Sequence, residues 1–226
     1  MIKETMNENI ISINETDSRG RIVTPHNKVI LSGVACSEFQ FEYVQRKTLI
    51  SFYSTKITSQ KASGRVDTVP VMISYQLKEK LKEKTIKGKY VKITGKLRSH
   101  RRKNENNKLD IYVLISSIEV FDERTEDVDV NSIYLEGYVC KIENYEESRK
   151  LDFSILVNRK RESEVRDYFP CVAKGNFLYY TKDLIPGRKI KFLGTFQSRI
   201  YPKKNEKGES EKRQAYEIRV RKMIEI

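Results

Sequence analysis

The sequence predicts an all-β chain, with one short helix per domain, built from two tandem copies of a five-stranded Greek-key barrel. Three observations carry this: an internal repeat, apolar residues in period-two alternation, and one helix-like stretch at the same place in each copy. Residues 27–36 (NKVILSGVAC) and 131–140 (NSIYLEGYVC) share Asn, Leu, Gly and Cys, and Asn27/Asn131, Leu31/Leu135, Gly33/Gly137 and Cys36/Cys140 all lie 104 apart. Further on, residues 88–99 (GKYVKITGKLRS) lie over 187–198 (GRKIKFLGTFQS), with both glycines and the serine 99 apart. Pro70 and Pro170 differ by 100, and residues 118–120 lie over 224–226 at 106. The offset changes only between matched blocks, as it does when insertions fall in loops. Its last increase falls after Ser198, which makes that loop the first place to look for function.

The elements follow in order. Val29, Leu31 and Gly33 alternate with polar or small partners, as do Val91, Ile93 and Gly95 with Tyr90, Lys92 and Thr94, and Ile190 and Phe192 with Lys189 and Lys191. Period two with one wet face predicts antiparallel strands. Within residues 75–84 (YQLKEKLKEK), Leu77 and Leu81 stand four apart, which predicts a short helix; residues 175–183 sit at the equivalent place in copy two. The alternating Lys and Glu of 78–84 read as a solvated face with pairs three and four apart. The two glycines of each copy suit barrel bends. Five strands with a helix between the third and fourth, in about 100 residues, is the order of an oligonucleotide-binding (OB) barrel. The predicted organisation is a flexible arm over 1–26, a first barrel over 27–121, an acidic linker over 122–130 that is too short to make the barrels fully independent, and a second barrel over 131–226.

Composition narrows the function classes. The chain has 226 residues, 38% hydrophobic and 33% charged, with a mean hydropathy of −0.62. No run approaches the roughly 20 apolar residues a membrane helix needs, and residues 1–28 lack the pattern of a leader. With 44 Lys and Arg against 31 Asp and Glu, the net charge is +13 and the pI about 9.5, which favours polyanionic partners and nucleic acid first. The three cysteines, Cys36, Cys140 and Cys171, have no CxxC spacing, so reduced thiols are expected, with Cys36 and Cys140 as small buried residues behind the first strand of each copy. His26 and His100 have no neighbours that would make a metal site. No GxSxG, Walker-type loop or HExxH is present, so no enzyme and no cofactor is expected; a metal-dependent nuclease centre among the many acids is the weak alternative.

Copy two resembles the bacterial single-stranded DNA-binding proteins. The blocks that carry this are residues 131–139, 151–159 (LDFSILVNR), 167–173 (DYFPCVA) and 186–199 (PGRKIKFLGTFQSR), with 216–226 as the closing strand. Copy one looks like a diverged version of the same domain. The resemblance implies bases stacked on barrel aromatics and phosphates met by Lys and Arg. Position by position, it places stacking rings at Tyr168 and Tyr201; two further aromatic positions fall on Arg161 and Lys174. In copy one the corresponding residues are Thr68, Ser74 and Arg102, so its principal platforms are missing while residues 99–103 (SHRRK) stay basic. Copy one then either holds phosphates or serves as an oligomerisation and spacing module.

The expected nucleic-acid set is therefore Tyr168 and Tyr201 for stacking, with Arg159, Arg161, Lys174, Arg199, Lys203, Lys204, Arg101 and Arg102 for phosphates. Tyr in a strand is often only a packing residue, and Phe153, Tyr138 and Tyr145 are assigned to packing here. The segment 199–213 reads either as a solvated hairpin or as a DNA-gripping arm. Since single-barrel members of the family work as tetramers, two barrels per chain imply a homodimer, acting in the bacterial cytoplasm at the nucleoid. The family's acidic recruiting tip has no counterpart after residues 223–226 (MIEI), so recruitment of replication or repair proteins through such a tip is not expected. An RNA-binding or replication-accessory barrel and a protein-interaction module stay open.

Overall fold

The computed structural model describes residues 15–16, 22–23, 25–82, 85–102, 108–145, 150–159, 165–175, 184–204 and 210–225. Ahead of the first barrel, Glu15–Thr16 (β1) and Ile22–Val23 (β2) pair antiparallel, so the arm expected to be loose contains a small ribbon. The first repeat comprises Asn27–Ala35 (β3), Gln40–Gln45 (β4), Ile50–Gln60 (β5), Val66–Ser74 (β6), a helix at Tyr75–Glu79 (α1), Tyr90–Arg102 (β7) and Lys108–Phe121 (β8). Pairing runs β3–β5–β6–β8–β7 and back to β3, closing a barrel. The second repeat, Asn131–Tyr145 (β9), Lys150–Asn158 (β10), Arg166–Lys174 (β11), Lys189–Lys204 (β12) and Ser210–Glu225 (β13), closes as β9–β10–β11–β13–β12 and back to β9. In each ring only one link is parallel, β6–β8 (Val71↔Val113) and β11–β13 (Cys171↔Ile218). The chain is nearly all β, as the alternation predicts.

Among the described residues copy one has six strands rather than five. Its leading strand breaks at residues 36–39 and resumes as β4, which lies along β5, whereas copy two carries the strand through as one long β9. That continuity needs a β-bulge: Ser154 faces Lys141 and Ile155 faces Val139, so Cys140 is passed over. Here the expectation for the cysteines fails. Ala35 and Val139 point into the core, so the next residue in each copy points out, and Cys36 and Cys140 are exposed while Cys171 is buried.

The inward face of the alternation forms one continuous core. Val29, Leu31, Ile57, Val71 and Ile93 fill the first barrel, and Phe153, Phe169, Phe192, Phe196 and Ile218 the second. Each such side chain contributes about 1.5–3 kcal/mol by leaving water. Leu77 of α1 and Leu81 just beyond it pack against this core, as their spacing predicts; residues 176–183, where the second helix is expected, lie outside the described residues. At Gly137 a side chain is excluded, because a Cβ would sit 2.7 Å from the Leu156 carbonyl oxygen.

The repeated asparagines have a shared task. The amide of Asn27 donates to the Leu97 carbonyl and accepts from the Leu97 N–H, both at 2.8 Å; Asn131 does the same with Phe196, at 2.8 and 2.9 Å. Each closes its own barrel where the first strand begins.

The barrels are joined edge to edge. β3 pairs antiparallel with β9, Asn27 facing Leu135 and Leu31 facing Asn131, so repeat-equivalent residues exchange places about an approximate two-fold axis. The segments ahead of β3 and β9 cross over as well. His26 donates through Nε2 to the Asn158 carbonyl of the second barrel (2.6 Å), and Asp129 accepts from the Gln60 N–H of the first (2.6 Å) while Arg124 holds its other oxygen (2.6 Å). The acidic linker is therefore tied down, and no helix among the described residues is long and apolar enough to cross a membrane.

Candidate nucleic-acid interface

In β11, Asp167, Phe169 and Cys171 point inward, which leaves Tyr168 and Pro170 on the outer face. A shallow groove of about 130 Å³ opens there, lined by Tyr168 and Pro170 together with Lys141, Asp152, Arg199 and Glu217. Tyr168 stands at the junction of the two barrels. Its N–H donates to Ser99 Oγ of the first barrel (2.8 Å), and the Arg101 guanidinium lies over its ring, 5.3 Å from the centroid. Tyr201 lies farther along β12, with the guanidinium of Arg199 5.7 Å from its ring centroid. Each expected stacking ring thus carries an expected arginine, an arrangement that presents a flat cationic and aromatic pair.

Arg159 is placed otherwise than expected. Its Nε and Nη2 donate to Asp167 Oδ1 (3.2 and 3.0 Å), and Nη2 also reaches the Ser99 carbonyl (3.1 Å). Asp167 is fully buried and accepts further from the Ser99 N–H (2.9 Å) and from Arg98 (3.2 Å). Arg159 therefore helps hold the barrels together. The reason is the β3–β9 pairing, which brings strand β7 of the first barrel against β11 of the second.

Arg199 is half exposed (51%) and shares Glu217 Oε2 at 3.2 Å, while Gln197 donates to the other oxygen of that buried carboxylate. Lys174 is exposed at the end of β11. Arg161 lies outside the described residues, as do the side chains of Arg102, Lys203, Lys204 and Tyr145. Of the rings assigned to packing, Phe153 is buried, but Tyr138 is 39% exposed, because the period of β9 turns it outward beside buried Val139.

Lys141–Glu143, Lys150–Asp152 and Arg199–Glu217 pair cations with acids around the groove, and none of these acids stands out in the sequence. Asp167 does carry a signal: it is in phase with the buried positions of its strand, as Asp67 is with Val69 and Val71, and Asp67 is likewise fully buried and ion-paired with Lys61. An inward Asp on a strand announces a partner. Burial pushes the Cys171 thiol well up, with a smaller push from Glu217, and also raises the Tyr216 phenol. Among the described residues no group of three or more His, Cys, Asp or Glu is placed to hold a metal.

No family model matches the sequence, and no curated protein does. The architecture is shared with solved structures of the single-stranded DNA binding protein from Thermus aquaticus. The wild type superposes with a TM-score of 0.65 and a deletion mutant with 0.62, each at 13% identity over 88% of this chain and over 92% and 94% of theirs. The likeness is one of fold.

Proposed function

We propose that the protein binds single-stranded DNA without sequence preference, as a binding protein rather than an enzyme. The observation that carries this reading is the pairing of both expected stacking tyrosines with an arginine, Tyr168 with Arg101 and Tyr201 with Arg199, on a chain of net charge +13. Bases stack on the rings irrespective of identity, while the arginines and Lys174, Lys203 and Lys204 meet phosphates. The fold likeness to the Thermus aquaticus protein supports the same reading. Such binding would protect exposed strands during replication, recombination or repair, and a homodimer would present four barrels. A monomer by light scattering would remove the dimer.

The test is fluorescence polarisation of labelled oligo(dT) of about 35 nucleotides, competed by duplex and by matched RNA. Binding that resists both competitors is expected. Binding that duplex removes equally well would reduce the protein to a general polyanion binder. Tyr168→Ala or Tyr201→Ala should cost about 1–3 kcal/mol with little change in salt dependence. Lys203→Ala should instead lower the log–log salt slope by about 0.7.

A further inference from the structure

The first barrel has Thr68 where the second has Tyr168, yet its outer face carries rings of its own. Tyr43 of β4 stacks on Phe52 of β5, with centroids 5.3 Å apart and planes 27° from parallel, and its hydroxyl donates to Met72 Sδ (3.7 Å). Behind it lies Tyr112, whose phenol is pushed far up by burial and by Tyr43. Tyr112 faces Arg98 across the β7–β8 pair, and Arg98 binds Asp167, the neighbour of Tyr168. Tyr43 is thus linked to the barrel junction through Tyr112, Arg98 and Asp167, and Tyr168 stands next to Asp167 on the outer face of β11. All of β4 is exposed, Tyr43 by 42%, and its one acid, Glu42, accepts from Ser54. Lys56, in phase with Phe52 on β5, and Arg46 and Lys47 in the turn between β4 and β5 are exposed cations.

We propose that Tyr43, backed by Phe52, is a base-stacking platform of the first barrel, second to the one that Tyr168 and Tyr201 form on the other, and that a single strand held at Tyr168 continues over the barrel junction onto it, its phosphates met by Lys56, Arg46 and Lys47. This rests on the single-strand reading above and extends it to a surface that matches none of the stacking positions of the second barrel. A nucleic acid fits this patch better than a second copy of the chain does, because protein interfaces are depleted in lysine whereas single-strand grooves set cations beside aromatic rings.

The chain has no tryptophan, so Tyr43→Trp and Tyr168→Trp each install one reporter whose emission is quenched by a stacked base. Each variant is titrated with oligo(dT) of about 8 and about 35 nucleotides, lengths chosen because one barrel covers about 4–16. The reporter at position 168 is expected to respond to both lengths and that at position 43 only to the longer. Tyr43→Ala should weaken binding of the longer oligomer about tenfold and leave the shorter unchanged. Silence at position 43 while the long oligomer quenches position 168 overturns the second platform and spares the first. Silence at both positions overturns the single-strand reading with it. A Tyr43→Ala protein that binds the long oligomer normally but loses its dimer mass in sedimentation would assign the patch to a second copy. Should Tyr43→Ala fail to fold, the tryptophan reporters decide alone.

Discussion

Removing the carboxylate of Asp167 tests whether the two barrels are held together at the junction. Asp167→Ala takes away the acceptor shared by the Ser99 N–H, Arg98 and Arg159. Arg159 is 39% exposed and can turn to water, so its share is small; Arg98 is only 13% exposed and Ser99 is buried. A buried N–H without a partner costs about 1–3 kcal/mol, and a nearly buried guanidinium adds to it. The expected loss is about 3–4 kcal/mol, within the range for breaking a buried pair from one side. Asp167→Asn keeps an oxygen for the Ser99 N–H but loses the charge and turns an NH2 towards the Arg98 guanidinium, so about 2 kcal/mol is expected. Urea unfolding with linear extrapolation measures both, at an unchanged m-value. A cost below about 1 kcal/mol for Ala, or equal costs for the two variants, would refute the assignment of Asp167 as the inter-barrel anchor.

Other outcomes follow from the same geometry. Glu217→Gln releases Arg199 towards phosphate and should tighten oligo(dT) binding a few-fold while steepening the log–log salt slope by about 0.7; weaker binding would contradict the view that this carboxylate competes with DNA. Asn27→Ala leaves both backbone groups of Leu97 unpartnered in a buried site and should cost about 2–4 kcal/mol in denaturant unfolding, more than Asn131→Ala at its less buried position. At pH 8 an aromatic disulfide reagent should titrate Cys36 and Cys140 quickly and Cys171 only on unfolding, since burial keeps its thiol protonated; three fast thiols would place Cys171 wrongly.

Much of this is legible in the sequence. The 104-residue register finds Asn27 and Asn131, which close equivalent barrels, and the period-two runs of β3, β7 and β12 name the core side chains correctly. The expectation for Cys36 and Cys140 fails because a repeat position records equivalence between copies, not the face a side chain takes; one step past Ala35 and Val139 the alternation turns both outward. Nothing in the sequence marks Tyr43 and Phe52, because their stacking depends on a strand break at residues 36–39 that copy two does not share. The sequence offers Arg159 for phosphate because no local pattern shows that β7 of the other barrel lies beside it. Pairing between barrels is set by β3 against β9, and nothing in either strand taken singly marks it.

The approximate two-fold that relates β3 to β9 has a consequence for how this molecule diversifies. In an assembly of identical barrels every substitution appears at both symmetry-related places, so a change that helps one half is imposed on the other. Within one chain that constraint is lifted. Thr68 stands opposite Tyr168, Lys61 opposite Arg159, and an interrupted leading strand opposite a bulged one, while the Asn clamps and the buried aspartates stay matched. What closes each barrel is kept in both halves, and the residues around it, those at the junction included, are free to become different, which gives the two ends of the molecule separate identities.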